Sequence, residues 1–267
     1  MLNKSYLAGL WEGDGHISFT KDKNPRFCIT THQKNEPWLL LVKKELGDYG
    51  FIRRKTKEHA LVLTVSNKDG LVSILTLLNG HLKTPKIYSF NLLIDWMNAN
   101  SDHSFEKFDI DYDLNNHWLA GFIDADGCFY IRYSEPKASS GKPPRVATRF
   151  TLDQKMFLQN GESYEKIINS IVSFLDCKLY LVTKKNGHSY YNISSNSIHS
   201  VGILILYFEK YSLKSSKYLD YLNFKEVSYL LKNKNCKDNL QTIKYLKRQM
   251  NNSRKICVWE HLKQQHN

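Results

Sequence analysis

A fourteen-residue pattern occurs twice in this chain, and any fold the chain adopts must accommodate both copies. YLAGLWEGDGHISF begins at Tyr6 and WLAGFIDADGCFYI at Trp118, so Leu7 and Leu119 stand 112 positions apart. Self-similarity at a fixed offset marks a structural unit built more than once. In the first copy β-rich sequence at 16–20, 26–33, 50–55 and 60–66 leads into helical stretches at 67–78 and 86–98. The second runs parallel, with strands at 128–134 and 145–154, a helix at 162–175, and strands at 178–183 and 188–195. Asn186-Gly187 offers the usual hairpin chemistry between the last two strands, and helices at 198–211 and 216–232 follow. A further helix near 239–250 has no counterpart in the first copy. Residues 100–117, NSDHSFEKFDIDYDLNNH, are acidic and irregular and read as a surface linker. The expected architecture is α+β: helix, hairpin, helix, hairpin, helix, made twice. The expected division is residues 1–99, a linker at 100–117, and residues 118–267.

Lysine and arginine outnumber aspartate and glutamate by 38 to 26, a net charge of +12. Such an excess costs stability by self-repulsion, and a polyanionic partner explains it. Apolar residues make up 42% of the chain, enough for buried cores. The five cysteines are scattered and form no C-x-x-C pair, which argues against a zinc ribbon or a disulfide framework and for a reducing compartment. The longest apolar run, 201–207, is far too short to span a bilayer. The patterned sequence begins almost at Met1, so no leader is expected and the protein is expected to act where it is made. The ten histidines show no ligand spacing, and no Walker-type glycine loop points to an ATP-driven step.

The strand candidates alternate. Val146, Thr148, Phe150 and Leu152 share one face, and Arg145, Ala147, Arg149 and Thr151 the other. Phe27 and Ile29 oppose Arg26, Cys28 and Thr30 in the first copy. Period-two alternation marks a sheet covered on one face and open on the other. Arginines on an open face suit a surface that reads a nucleic-acid groove.

Within the repeated motif, Gly9 and Gly13 are four apart, as are Gly121 and Ala125, so each helix presents a stripe of small residues. Two such stripes can approach closely. Glu12 and Asp124 fall off this line. Asp14 and Asp126 come at the helix ends, each followed by a glycine (Gly15, Gly127) suited to stopping a helix. If the stripes pack, the two aspartates converge. Converging carboxylates repel unless cations lie between them, and a hard divalent ion with oxygen ligands meets that need. Ions held there would favour phosphodiester hydrolysis.

LAGLWEGDG and LAGFIDADG resemble the paired signature motifs of monomeric, two-motif LAGLIDADG homing endonucleases, and the repeat that carries the resemblance covers nearly the whole chain. The resemblance implies two pseudo-symmetric αββαββα half-domains, each with an antiparallel sheet forming a saddle on DNA. It implies metal binding by Asp14 and Asp126, joined by the carbonyls of Gly13 and Ala125. It places a catalytic glutamine at the end of the second strand, Gln33 in HQKN and Gln154 in DQKM. It places a catalytic lysine at the start of the last helix, Lys86 in LKTPKIYSF and Lys217 in LKSSKYLDY. The offset of the glutamines, 121 against 112, implies nine extra residues around PKASSGKPP.

By the same analogy the DNA readers are Ser18, Thr20, Arg26, Cys28, Thr30, Arg53 and Lys55 in the first half. In the second they are Tyr130, Arg132, Arg145, Arg149, Thr151, Lys184 and Tyr190. Each could read a base edge or hold a phosphate. A strand of eight residues spans roughly 26 Å, or about eight base pairs, so the target is expected to be long. Ser18 faces Tyr130 across the repeat and Thr20 faces Arg132, so it is expected to be asymmetric. The implied activity is site-specific cleavage of both strands of duplex DNA with Mg²⁺. Mn²⁺ is expected to substitute, and Ca²⁺ to bind without supporting efficient cleavage. The same scaffold also serves as a group I intron RNA maturase in some relatives, and a catalytically dead DNA-binding derivative is a third possibility. Retention of both aspartates favours the nuclease. A monomer encoded and made in a mitochondrion or chloroplast is expected.

Overall fold

The computed structural model describes residues 2–135, 144–184 and 187–263. The PKASSGKPP loop lies almost wholly outside this range, as does Asn186 of the expected turn. The first repeat runs α1 (Lys4–Asp14), β1 (Gly15–Phe19), β2 (Pro25–His32), α2 (Glu36–Glu45), β3 (Phe51–Lys55), β4 (Ala60–Val65), α3 (Lys68–Leu78) and α4 (Ile87–Asn100). The second runs α5 (Trp118–Asp126), β5 (Gly127–Ser134), β6 (Arg145–Lys155), α6 (Glu165–Leu175), β7 (Lys178–Thr183), β8 (Ser189–Ser195), α7 (Ile198–Lys210) and α8 (Lys217–Lys232). Two additions follow, α9 (Leu240–Arg248) and the short α10 (Glu260–Lys263). Each copy is therefore the expected αββαββα with one more helix at its end. Helix α2 is an element the strand-rich reading of the first copy passed over.

Each copy builds one four-stranded antiparallel sheet, ordered β1-β2-β4-β3 and β5-β6-β8-β7. The register repeats as well: Gly15 faces Ile29 and Ile29 faces Leu63, while Gly127 faces Leu152 and Leu152 faces Ile193. The chain packs as two compact units. One holds residues 1–126, 156–167 and 259–267, the other 127–155 and 168–258. Both motif helices thus belong to the first unit.

The first core stacks Trp11 on Phe27 at 5.7 Å and tilts it against Phe90 at 5.5 Å. The second gathers Phe150, Phe208, Tyr221 and Phe224 around Phe129, with ring centroids 5.2–5.9 Å away. Burying a large aromatic side chain is worth about 1.5–3 kcal/mol, so these clusters anchor the sheets. The segment 101–117 has no regular structure. It is tied to the first unit by Asn79 Nδ2 donating to the Glu106 carbonyl, by Lys83 Nζ donating to the Asp111 carbonyl, and by the Lys107–Asp95 ion pair. Among the described residues no helix is long and apolar enough to cross a membrane.

Candidate nuclease centre and nucleic-acid faces

Helix α1 is started by Asn3, whose side chain accepts the Ser5 N–H at 2.9 Å. It packs along α5 with backbone against backbone. A Cβ on Gly9 would stand 2.0 Å from the Trp118 carbonyl oxygen, and one on Gly121 would stand 2.0 Å from that of Tyr6. One turn further on, a Cβ on Gly13 would meet Ala125 Cβ at 2.2 Å. The two small-residue stripes therefore face each other, and no side chain separates the axes. The same notional Cβ lies 3.5 Å from Asp126 Oδ2, so the Asp126 carboxylate stands beside the residue that precedes Asp14.

Gly15 stops α1 for a different reason from the one expected. Its φ of −105° and ψ of 167° are ordinary extended backbone, so left-handed freedom is not needed. Space is: a Cβ there would lie 2.1 Å from Trp11 Cδ1.

Two acids off the stripes lock the helices together. Buried Glu12 of α1 accepts from Trp118 Nε1 of α5 at 2.6 Å, from the Lys83 N–H at 2.8 Å, and from the N–H and hydroxyl of Thr84, each at 2.6 Å. Buried Asp124 of α5 accepts from the Tyr6 hydroxyl of α1 at 2.7 Å, and that hydroxyl in turn accepts from Trp38 Nε1 at 3.0 Å. Glu12 and Asp124 hold the same place in the repeat, as do Tyr6 and Trp118, so each acid grips the aromatic that opens the opposite motif. Burial pushes the Glu12 carboxyl up to about 7 against the pull of its hydrogen bonds. The Tyr6 hydroxyl is held well above its usual range by burial and by Asp124. The sequence reading missed this pairing; its signal was an acid seven positions into each motif and an aromatic at position one.

Lys86, at the start of α4, donates from Nζ to the Gly13 carbonyl at 3.0 Å and the Gly15 carbonyl at 2.7 Å. One ammonium thus fixes the backbone on both sides of Asp14. Thr84 Oγ1 accepts the Lys86 N–H, and in the second unit Ser215 Oγ accepts that of Lys217. The two lysines occupy matching helix starts. The glutamines do not match. Gln154 lies within β6, two residues beyond the partner of Gly127, whereas Gln33 lies past the end of β2, four beyond the partner of Gly15. Thr31 is the register counterpart of Gln154. Gln33 instead joins the β3–β4 turn, its N–H donating to the His59 carbonyl at 2.8 Å and its Nε2 lying 3.3 Å from His59 Nδ1.

On the first sheet Ser18, Arg26, Cys28, Thr30, Arg53 and Lys55 line one recess, joined by His16, Phe51, Val62 and Thr64. Strict alternation from Ser18 and Arg53 reaches His16 and Phe51, which the sequence reading left out. Cys28 is buried, with Sγ 3.8 Å from Thr64 Oγ1. Thr20 lies outside β1 and closes its turn, Oγ1 accepting the Asn24 N–H at 3.1 Å. Partial burial, Lys86 and Lys55 together lower the His16 pKa, favouring the neutral ring.

On the second sheet Tyr130 pairs with Arg149, Arg132 with Ala147, and Thr151 with Ser194. Arg145 opens β6 opposite Ser134. Arg149 donates from Nε to Ser194 Oγ at 2.8 Å, and Lys184 Nζ sits 4.0 Å above the Tyr190 ring. Asp153, paired with Asn192 and hydrogen-bonded to it, is an acid on this basic face that the sequence reading did not single out. Among the described residues no three His, Cys, Asp or Glu side chains cluster as a ready metal cage. Two carboxylates with neighbouring carbonyls are still the hard oxygen set that Mg²⁺ accepts, since it completes its shell with water and phosphate.

The LAGLIDADG endonuclease profile matches residues 7–97 and 119–228. The chain belongs to the LAGLIDADG endonuclease family. Among its relatives, a 37.2 kDa protein of cox1 intron 2 from Schizosaccharomyces pombe is 31% identical over 85% of this chain and 65% of its own length. A probable intron-encoded endonuclease of Neurospora crassa is 30% identical over 94% of this chain and 44% of its own. The chain thus spans about two-thirds and under half the length of these two. The LAGLIDADG homing endonuclease I-SmaMI, solved bound to cleaved DNA, shares the fold with a TM-score of 0.76 at 20% identity, covering 95% of this chain and 98% of that one. Dependence on a divalent metal is general in the LAGLIDADG endonucleases.

Proposed function

We propose that the protein is a site-specific double-stranded DNA endonuclease that hydrolyses phosphodiester bonds as a monomer with Mg²⁺. The observation that carries this reading is the close backbone approach of α1 to α5, which sets the Asp126 carboxylate beside Gly13, the residue before Asp14. Asp14 and Asp126, with the carbonyls of Gly13 and Ala125, would hold the metal. When bound, such an ion supplies Lewis-acid stabilisation of phosphate charge and lowers the pKa of water. The chain's own part is placement. Glu12 and Asp124 lock the two helices, and Lys86 pins the carbonyls flanking Asp14. Its ammonium also adds positive charge where a scissile phosphate would approach. We assign Lys217 the same task in the second repeat and Gln154 a polar role in that same half.

The two open sheet faces are proposed to read the duplex, Arg26, Arg53, Arg132, Arg145 and Arg149 supplying groove or phosphate contacts. The intron-encoded relatives support synthesis from an organellar intron. The test is cleavage of a randomised duplex library with Mg²⁺, Mn²⁺ or Ca²⁺. Enrichment of one long site with Mg²⁺ but not Ca²⁺ is expected, with cleavage reduced roughly 10²–10³-fold or more by either Asp14→Asn or Asp126→Asn. Cleavage that survives both substitutions together would sink the assignment.

A further inference from the structure

The segment that starts with the last residue of α8 is where most of the chain's excess charge lies. Residues 232–255 contain eight lysines and arginines against one aspartate, net +7 of the chain's +12. The segment after α4 in the first repeat is the reverse: residues 101–117 hold five acids and one lysine. This basic segment has a fixed seat. Ile243 and Leu246 are buried and α9 packs on the edge strand β5. Lys244 is neutralised by Glu135 at 2.6 Å and stands 5.0 Å over the Tyr133 ring, and Arg254 is paired with Asp220. Lys232, Lys234, Lys237, Lys247, Arg248 and Lys255 remain exposed.

Lys247 connects this charge to the sheet. It lines a recess of about 450 Å³ with Tyr130, Arg132 and Arg145 of the open face. It also lines a second recess, of about 490 Å³, with Lys244, Arg248 and Ser253. Its Nζ donates to the Tyr133 carbonyl at 3.4 Å, near the end of β5 away from Gly127. The basic floor of the second sheet therefore continues past the sheet's edge onto α9.

We propose that α9 is a phosphate clamp: Lys247 and Arg248 hold the backbone of the duplex lying on the second sheet, beyond that sheet's outer end. This rests on the endonuclease reading above and adds phosphate-binding groups in one half only. Duplex DNA is favoured over RNA because the recess is continuous with the face assigned to DNA. Deleting one side chain that neutralises a phosphate takes about 0.9 off the slope of log affinity against log salt.

The experiment is fluorescence anisotropy on a labelled random-sequence 40-base-pair DNA duplex, and on an RNA duplex of equal length, across a salt series. The proteins are the full chain, Arg248→Ala and Lys247→Ala/Arg248→Ala, with folding checked by far-UV circular dichroism. The DNA slope is expected to shrink by about 0.9 in the single variant and about 1.8 in the double. An unchanged DNA slope in both variants, with the unaltered chain still binding DNA, overturns the clamp and leaves the endonuclease reading standing. A change confined to the RNA duplex also overturns it and makes α9 an RNA surface. If the unaltered chain binds no duplex DNA at all, the endonuclease reading itself fails. Should the double variant misfold, the exposed Arg248 alone decides.

Discussion

Glu12 shows how a residue off the small-residue stripe can tie a helix pair together. Its four donors come from α5, from Lys83 and from Thr84, the last two just ahead of Lys86 and α4. Replacing it with alanine strands buried donors that cost about 1–3 kcal/mol each. Glu12→Ala is therefore expected to lose about 3–5 kcal/mol in urea unfolding, and a loss below about 1 kcal/mol would refute the latch. The carboxyl also has a pH signature. Its pKa rises from the ordinary 4.5 to about 7 on folding, so the folded state holds its proton more tightly. The resulting stability is complete below pH 4.5 and is lost as pH rises through 7. The difference in urea midpoint between the unaltered chain and Glu12→Gln should change steadily across this window; a pH-independent difference would mean that Glu12 does not titrate on folding. In the sequence Glu12 registers only as a residue off the glycine stripe. Its partners lie 71, 72 and 106 positions away, beyond the reach of any local pattern.

At the scale of elements, the motif spacing made the helix pair legible. Four-residue intervals put Gly9 with Gly13, and Gly121 with Ala125, on single helix faces without any tertiary information. Alternation likewise separated open from covered sheet faces. What spacing could not supply was the strand register. Gln33 and Gln154 look equivalent as letters, yet the pairing of Gly15 and Gly127 places them two residues out of step. Helix α2 buries Trp38, Leu39 and Val42 at helical spacing, but the exposed Leu40 within the same apolar run blurs that stripe in the sequence.

The meeting points along the two helices differ in kind, and that can be measured. Gly9 abuts a backbone oxygen, which cannot withdraw, so Gly9→Ala must force the helices apart and is expected to cost more than about 2 kcal/mol. At Gly13 the tight contact is the Ala125 methyl, and the next atoms stand at 3.5 Å. Gly13→Ala should therefore be destabilising alone, and Gly13→Ala with Ala125→Gly should recover at least about 1 kcal/mol, a coupling typical of touching residues. Additive effects in that double-mutant cycle would show that these two positions do not meet.

On the scale of the whole molecule, the repeat built two sheets with one register and two different surfaces. The first face carries His16, Ser18, Cys28 and Phe51 around Arg26 and Arg53, and the second carries Tyr130, Arg132, Arg145 and Arg149 with the acid Asp153. Duplication explains the shared backbone, and divergence at exposed positions costs little stability because those side chains support no core. On the endonuclease reading proposed above, specificity could therefore change one half at a time. If each face reads its own half of the target, a palindrome made from either half-site presents one sheet with the wrong bases. A single mismatched base pair costs about 1–3 kcal/mol, and several mismatches add. Both palindromes should accordingly bind at least about tenfold more weakly than the asymmetric target recovered from the library. Arg149, its guanidinium oriented by Ser194, offers a finer check. Arg149→Ala should relax preference at one position of the second half-site by about 1–3 kcal/mol and leave the first half-site's preferences unchanged. A uniform loss across all sequences would instead mark Arg149 as a phosphate ligand, and equal binding of both palindromes would mean that the two faces read the same bases.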